Sequence, residues 1–198
     1  MPITINGNGH ISGLVVGGLP NGSVNADSLA SNAVTSAKLH NDAVTSAHMP
    51  SNTIVQVVQK FKNDPESTSG NSHTAIPGLT VVITPSSSSN KILYSGHLYL
   101  AASGSECSFR LTRTVGGSTT EIATPSTYQD DEDGVFAHGG GSRYGGQSFE
   151  FLDSPNTTSA ITYGITWQTH SGTTYLNRTW DSGWFHGIST ITAMEVAV

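Results

Sequence analysis

ITYGITW, residues 161–167, sets Ile161, Tyr163, Ile165 and Trp167 on alternate positions, with Thr162, Gly164 and Thr166 between them. Successive side chains of a strand point to opposite faces, so this stretch has one apolar and one polar face when extended and no coherent face when helical. The same texture recurs along the chain on both sides. Leu79, Val81 and Ile83 share a face, as do Ile92, Tyr94, Leu98 and Leu100, with Gly96 between them. Cys107, Phe109 and Leu111 alternate with Ser108, Arg110 and Thr112, and Phe149 and Phe151 flank Glu150. The closing run ISTITAMEVAV, from Ile188, is strand-like but less cleanly sided. One apolar face per strand predicts an antiparallel sheet packed on one side. About seven to nine such strands, with no helical period, predict a sandwich or jelly roll. We therefore expect an all-β protein whose antiparallel, jelly-roll-like β-sandwich head spans 54–198, roughly 140 residues and enough for one core.

Composition agrees with that reading. The 198 residues are 11% charged and 8% aromatic, and 14 acidic against 8 basic side chains leave a net charge of −6. Nothing in this balance draws the chain to nucleic acid or to an anionic membrane surface. No stretch approaches the ~20 apolar residues of a membrane span, so membrane insertion is not expected. The start, MPITINGNGHISGL, lacks a basic segment followed by an apolar run and does not read as a signal peptide. Cys107 is the only cysteine, which fits synthesis in a reducing cytoplasm. The NTT at Asn156 and NRT at Asn177 are read as chance glycosylation matches.

Before the strands lies a repeat. VNADSL from Val24, VTSAKL from Val34 and VTSAHM from Val44 align at a period of ten, with a weaker echo every five. Val24, Leu29, Val34, Leu39, Val44, Met49 and Ile54 thus recur at five-residue steps. Five residues rotate a helical position by about 140°, and an odd step flips a strand, so neither element keeps these residues on one face. The chain must alternate between extended residues and tight turns, for which Asp27–Ser28, Thr35–Ser36 and Thr45–Ser46 are suitable capping types. Such units cannot bury their own apolar residues, and symmetric partner chains are the simplest cover. Residues 21–53 are therefore expected to form the intertwined stalk of a parallel homotrimer with short turns. Upstream, Ile3 and Ile5 alternate with polar residues around Asn6–Gly7 and Asn8–Gly9, which reads as a small hairpin. Gly17, Gly18, Pro20 and Gly22 separate it from the repeat, and 1–20 is expected to be a docking anchor.

ITINGNGHISGL from Ile3, the AVTSAKL-type repeats and the closing STITAMEV together resemble fibre-like virion proteins of tailed phages, those of marine cyanobacterial phages in particular. TVVITPSSSSNKIL from Thr80, followed by Phe109–Arg110–Leu111–Thr112–Arg113, is similar to the β head these proteins carry. The resemblance implies a tail-fibre subunit of the virion: a homotrimer, attached to another virion protein through its N-terminus, with its head outward for host-surface recognition. The alternative is a purely architectural capsid fibre or decoration protein. The resemblance supplies no catalytic residues.

The eight histidines, among them His40 and His48 in the repeat, show no metal-ligand spacing. The acidic run 130–133 lacks the alternation of a calcium loop, and Gly139–Gly140–Gly141 does not follow a strand as a phosphate loop does. No serine has a nucleophile-elbow context and the carboxylates are scattered, so no enzymatic activity, metal or cofactor is expected. Recognition of a host glycan or protein is a better second function, because aromatic side chains on loops offer flat apolar platforms beside polar groups. The segment 124–147 is too long for a hairpin loop, and NRTWDSGWFHG from Asn177 mixes Trp with Asn, Asp and Arg. Tyr128, Tyr144, Trp180 and Trp184, with Asp131 and Asp181 as polar partners, are the expected receptor contacts.

Overall fold

The computed structural model describes residues 4–5, 11–12, 21–41, 43–45, 48–104, 106–123, 134, 136–138, 144–181 and 185–198. The chain forms two compact units, Met1–Val44 and Thr45–Val198. In the first, β1 (Thr4–Ile5) pairs antiparallel with β2 (Ile11–Ser12), the hairpin expected from the Asn-Gly pairs. Short 3₁₀ turns at Ala26–Ser28 and Ser36–Lys38 follow.

The second unit is an all-β, jelly-roll-like sandwich. Its strands are β3 (Ile54–Lys62), β4 (Glu66–Thr68), β5 (Thr74–Ile83), β6 (Lys91–Ala102), β7 (Cys107–Val115), β8 (Ser118–Ile122), β9 (Phe136–His138), β10 (Gly145–Asp153), β11 (Ile161–Thr169), β12 (Thr174–Leu176) and β13 (Ser189–Val196). That is eleven among the described residues, against the seven to nine expected. The surplus consists of pieces such as β4, β9 and β12, three residues each, too short to display a period.

Both sheets share one device: a long central strand with one neighbour along one edge and two short ones sharing the other. In the six-stranded sheet β6 bonds β10 along one edge, while β13 takes Lys91 to His97 and β12 takes Leu100 to Ala102 on the other. β3 and β4 lie outside β13 and β12. In the five-stranded sheet β7 bonds β11 on one edge, and β8 and β9 on the other. The two-residue turn between β7 and β8 is Gly116–Gly117, both at positive φ, which the twist of a tight hairpin requires.

The core lies between the inner faces. Val81, Ile83, Phe109, Leu111, Ile161, Tyr163, Ile165 and Trp167 meet Ile92, Tyr94, Leu98, Leu100, Leu176, Ile191 and Ala193. Alternation in β5 slips by one residue where β11 changes register between Gly164 and Thr166, so Ile76 and Leu79 both point inward. Pro77 and Gly78 occupy the bulge, where a missing donor and a positive φ of 70° are tolerated. Gly96 keeps β6 bare beneath a ring: a Cβ there would sit 2.6 Å from Cε1 of Phe149 and 2.8 Å from the Thr190 carbonyl oxygen.

β13 is poorly sided in sequence because Glu195 faces inward. Its carboxylate is 1% exposed and accepts hydrogen bonds from Ser86 N, Ser86 Oγ and Asn90 Nδ2, each at 2.7 Å. Ser86, the first of the serine run 86–89, is thus tied to the last strand through a buried carboxylate whose Oε1 takes all three bonds. No helix among the described residues is long and apolar enough to cross a membrane.

Candidate functional site

Two surfaces carry the residues singled out in the sequence. The first is the repeat. Backbone N–H groups of Ser28, Lys38 and His48 donate to the carbonyls of Asn25, Thr35 and Thr45 at 2.9–3.1 Å. Those of Ala33, Ala43 and Thr53 donate to Ala30, His40 and Pro50 at 2.9–3.2 Å. Each decapeptide therefore holds two four-residue turns, and a single apolar residue separates one turn from the next. That is the physical origin of the five-residue echo.

Side chains reinforce the first turn in the first and third repeats, whereas Thr35 in the second makes no side-chain cap. Asn25 Oδ1 accepts from Ser28 N at 2.9 Å, and Ser28 Oγ lies 3.5 Å from Asn25 N in a reciprocal cap. In the third repeat His48 Nδ1 accepts from Thr45 N at 3.2 Å. Asn32 and Asn52, in the second turns, have φ of 63° and 69°, which a short side chain able to bond locally accommodates. Leu29 and Leu39 are extended. Val24, Leu29, Val34, Leu39, Val44, Met49 and Ile54 are all 41–55% exposed. The last turn belongs with the sandwich: Asn52 N donates to Ala197 O, and Ala197 N to Thr53 O.

The second surface is the outer face of the six-stranded sheet at the far end of β6. Tyr144, 59% exposed, immediately precedes β10 and stacks on Tyr99 with ring centroids 6.1 Å apart and 9° between planes. Burial, together with the neighbouring Tyr144 phenol, holds the Tyr99 phenol above its ordinary pKa. The Tyr99 ring also covers Gly187, where any Cβ would collide with it. Asn177 N donates to Tyr99 O at 2.8 Å and Gly187 N to Asn177 O at 3.1 Å. Arg178 and His186 form an isolated bridge, so the segment between them leaves and rejoins the sheet at one place. Trp180 (37% exposed), Asp181 and Phe185 (65% exposed) lie on it. The Arg178 guanidinium sits 4.9 Å over the Tyr175 ring, a cation–π contact.

Asn177 is the post of this loop. It is fully buried at φ 60°, its Nδ2 donates to Lys62 O and Asp64 O, and its Oδ1 accepts from Ser189 Oγ. With that amide enclosed, the NRT tripeptide offers no attachment point for a glycan, whereas Asn156 is exposed.

Of the expected contacts, Tyr144 is placed beside Tyr99, and Trp180 and Asp181 lie on the loop closed by Arg178 and His186. Tyr128, Asp131 and Trp184 lie outside the described residues, as does the acidic run 130–133. Sequence reading missed Tyr99, Tyr175 and Arg178. Tyr99 could have been found, since it falls between inward Leu98 and Leu100 and must point outward. The segment 124–147 is not wholly loop: Phe136–His138 pairs with Cys107–Phe109, a long-range pairing that leaves no local signal. No group of three metal-ligating side chains occurs among the described residues.

No protein-family model and no curated protein sequence matches the chain. Similar solved structures include infectious bursal disease virus, Gt strain (TM-score 0.39, 12% identity, 74% of this chain and 40% of that one). The VP2 subviral particle of the same virus gives a TM-score of 0.36 at 13% identity, over 71% of this chain and 39% of that one. The enzymatically active domain of tailspike protein 4 of bacteriophage CBA120 gives 0.33 at 9% identity, over 70% and 20%. The chain spans about two fifths of the length of the infectious bursal disease virus chains, and at these scores the likenesses assign neither family nor function.

Proposed function

We propose that the protein is a non-enzymatic structural subunit of a virus particle, a phage fibre that assembles as a parallel homotrimer through residues 21–54. The hairpin region 1–20 docks it on another virion protein and the sandwich faces outward. One observation carries this reading: seven apolar side chains at strict five-residue spacing, five of them set between tight turns, stand 41–55% exposed. An apolar residue every five positions is costly to leave in water and of no use to a linker. Three chains in register would cover one another's residues at every step. The resemblance of the repeat and the chain ends to fibre-like phage proteins supports the same reading.

Sedimentation equilibrium of the full-length protein tests it. Three copies are expected, and Leu29→Ser with Leu39→Ser should shift the mass toward one copy while leaving the sandwich folded. A monomeric full-length chain at micromolar concentration contradicts the proposal.

A second reading concerns what the head does. The stacked Tyr99–Tyr144 pair, the Arg178–Tyr175 contact and the exposed Trp180 and Phe185 support recognition of a host surface as a reading beside the architectural one. Exposed aromatic side chains beside polar groups are the type of surface that takes the apolar face of a sugar. A glycan array probed with the trimer, compared with a Tyr144→Ala/Trp180→Ala variant, separates the readings. Binding lost in the variant supports recognition, and no binding by the native protein favours the architectural role.

A further inference from the structure

The six-stranded sheet has an outer face that the sandwich does not cover, and its register fixes the rows of side chains on it. Val57 on β3 is opposite Met194 on β13, Met194 is opposite Leu93 on β6, and Leu93 is opposite Leu152 on β10. Four adjacent strands, about 4.8 Å apart, thus present four aliphatic side chains in one line. Val57 and Leu152, at its ends, are 57% and 48% exposed. A neighbouring position adds Ile54 opposite Val196, with Ile54 51% exposed.

An outward sheet face is ordinarily polar, and the next row of this sheet is so. Gln59, Thr192, Ser95 and Glu150 line up across the same four strands, and Gln59 Nε2 donates to Thr192 Oγ1 at 3.0 Å. Rows that are apolar on all four strands thus lie at one end of the face, whereas beyond the polar row the exposed Phe61 stands opposite Thr190, itself opposite His97. The aromatic surface lies toward the other end, since Leu93 and Tyr99 are six positions, or about 20 Å, apart on β6.

The apolar end is also where the period-five series enters the sandwich. Ile54 is at once the seventh member of that series and the first residue of β3, the edge strand of its sheet. We propose that the patch formed by Ile54, Val57, Met194, Val196, Leu93 and Leu152 is a docking surface for a second copy of this chain. The proposal rests on the self-association of the repeat. Copies that associate at Met49, five residues before Ile54 and in the same compact unit, bring their Ile54 residues close together. A face that starts at Ile54 then meets its counterparts without any further search. The heads of the assembly pack on one another at their repeat-proximal ends and leave their aromatic ends free.

Thiol reactivity in the full-length protein tests this. Leu152→Cys and Val57→Cys put a thiol at each end of the row, and native Cys107 is 1% exposed. Ser118→Cys, on an exposed position of the other sheet, is the reference. In the assembled protein the thiols at positions 57 and 152 are expected to react with a soluble disulfide about tenfold more slowly than the one at 118, because thiolate chemistry requires access. The difference should vanish when Leu29→Ser and Leu39→Ser dissociate the chains. Fast reaction at 57 and 152 in a protein that still sediments as an oligomer overturns the docking surface and leaves repeat-driven assembly standing. A monomeric native chain overturns both.

Discussion

The phenol of Tyr163 donates a 2.7 Å hydrogen bond to Asp153, joining β11 in one sheet to the end of β10 in the other. Arg113 Nη1 reaches both oxygens of the same carboxylate at 2.8 and 2.9 Å. Asp153 is 6% exposed and lies between a neutral and a charged donor, so its removal strands both. Asp153→Ala should lower stability by about 2–4 kcal/mol, measured by denaturant unfolding, because partly buried donors lose their acceptor. Asp153→Asn keeps an acceptor and should cost less. A variant Asp153→Asn as stable as the native protein alongside a destabilised Asp153→Ala would mean that the loss is one of packing and not of the charged acceptor.

The same arrangement sets an alkaline limit. Desolvation by burial, followed by the Asp153 hydrogen bond, raises the Tyr163 pKa far above its ordinary value, and burial alone does so for Tyr94. A raised folded-state pKa stabilises the fold fully below the unfolded value, about 10 for a tyrosine, and that contribution falls as pH rises beyond it. Titration followed by absorbance at 295 nm checks this. Tyr94 and Tyr163 should ionise only together with loss of the near-UV circular dichroism signal.

Core packing gives a third expectation. Phe109 is fully buried among the inward residues of both sheets, and Phe109→Ala should cost about 3–5 kcal/mol in thermal or chemical unfolding. Gly96→Ala adds one methyl where Phe149 can shift but the Thr190 carbonyl cannot, and should cost about 1–3 kcal/mol. A change within error at Phe109 would place its ring outside the core, and one at Gly96 would refute the register between β6 and its neighbours.

The sandwich was legible where a strand buries one face over several residues, as in Ile161, Tyr163, Ile165 and Trp167, all at most 2% exposed. It was illegible where pairing is long-range and short, as in Phe136–His138, or where an inward position is polar, as at Glu195. The repeat revealed its turn–apolar alternation because its spacing contradicts both regular periods. β3 went unread because its outward row is as apolar as an inward one. Val57 and Phe61 look like core in sequence and are 57% and 61% exposed. The aromatic surface was half legible, since Tyr144 and Trp180 stand in loop-like sequence. Tyr99 and Tyr175 are strand residues whose outward direction depends on their neighbours.

Asn177 links the stability of the head to its aromatic surface. Its side chain makes three hydrogen bonds, to Lys62 O, Asp64 O and Ser189 Oγ, and its backbone binds Tyr99 O and Gly187 N. Asn177→Ala removes the three side-chain bonds at a positive φ that alanine disfavours, and should cost about 2–4 kcal/mol. Asn177→Asp is also unfavourable, because the Nδ2 donor becomes a carboxylate oxygen facing two carbonyls. Both variants should free the segment from 178 to 186 before the core melts, so acrylamide should quench tryptophan fluorescence more readily at temperatures where the circular dichroism is still native. Trp167 is enclosed in the core, so a rise in quenching reports on the loop. If instead fluorescence quenching and circular dichroism change in one concerted step, Asn177 supports the whole sandwich and not the loop that carries Trp180.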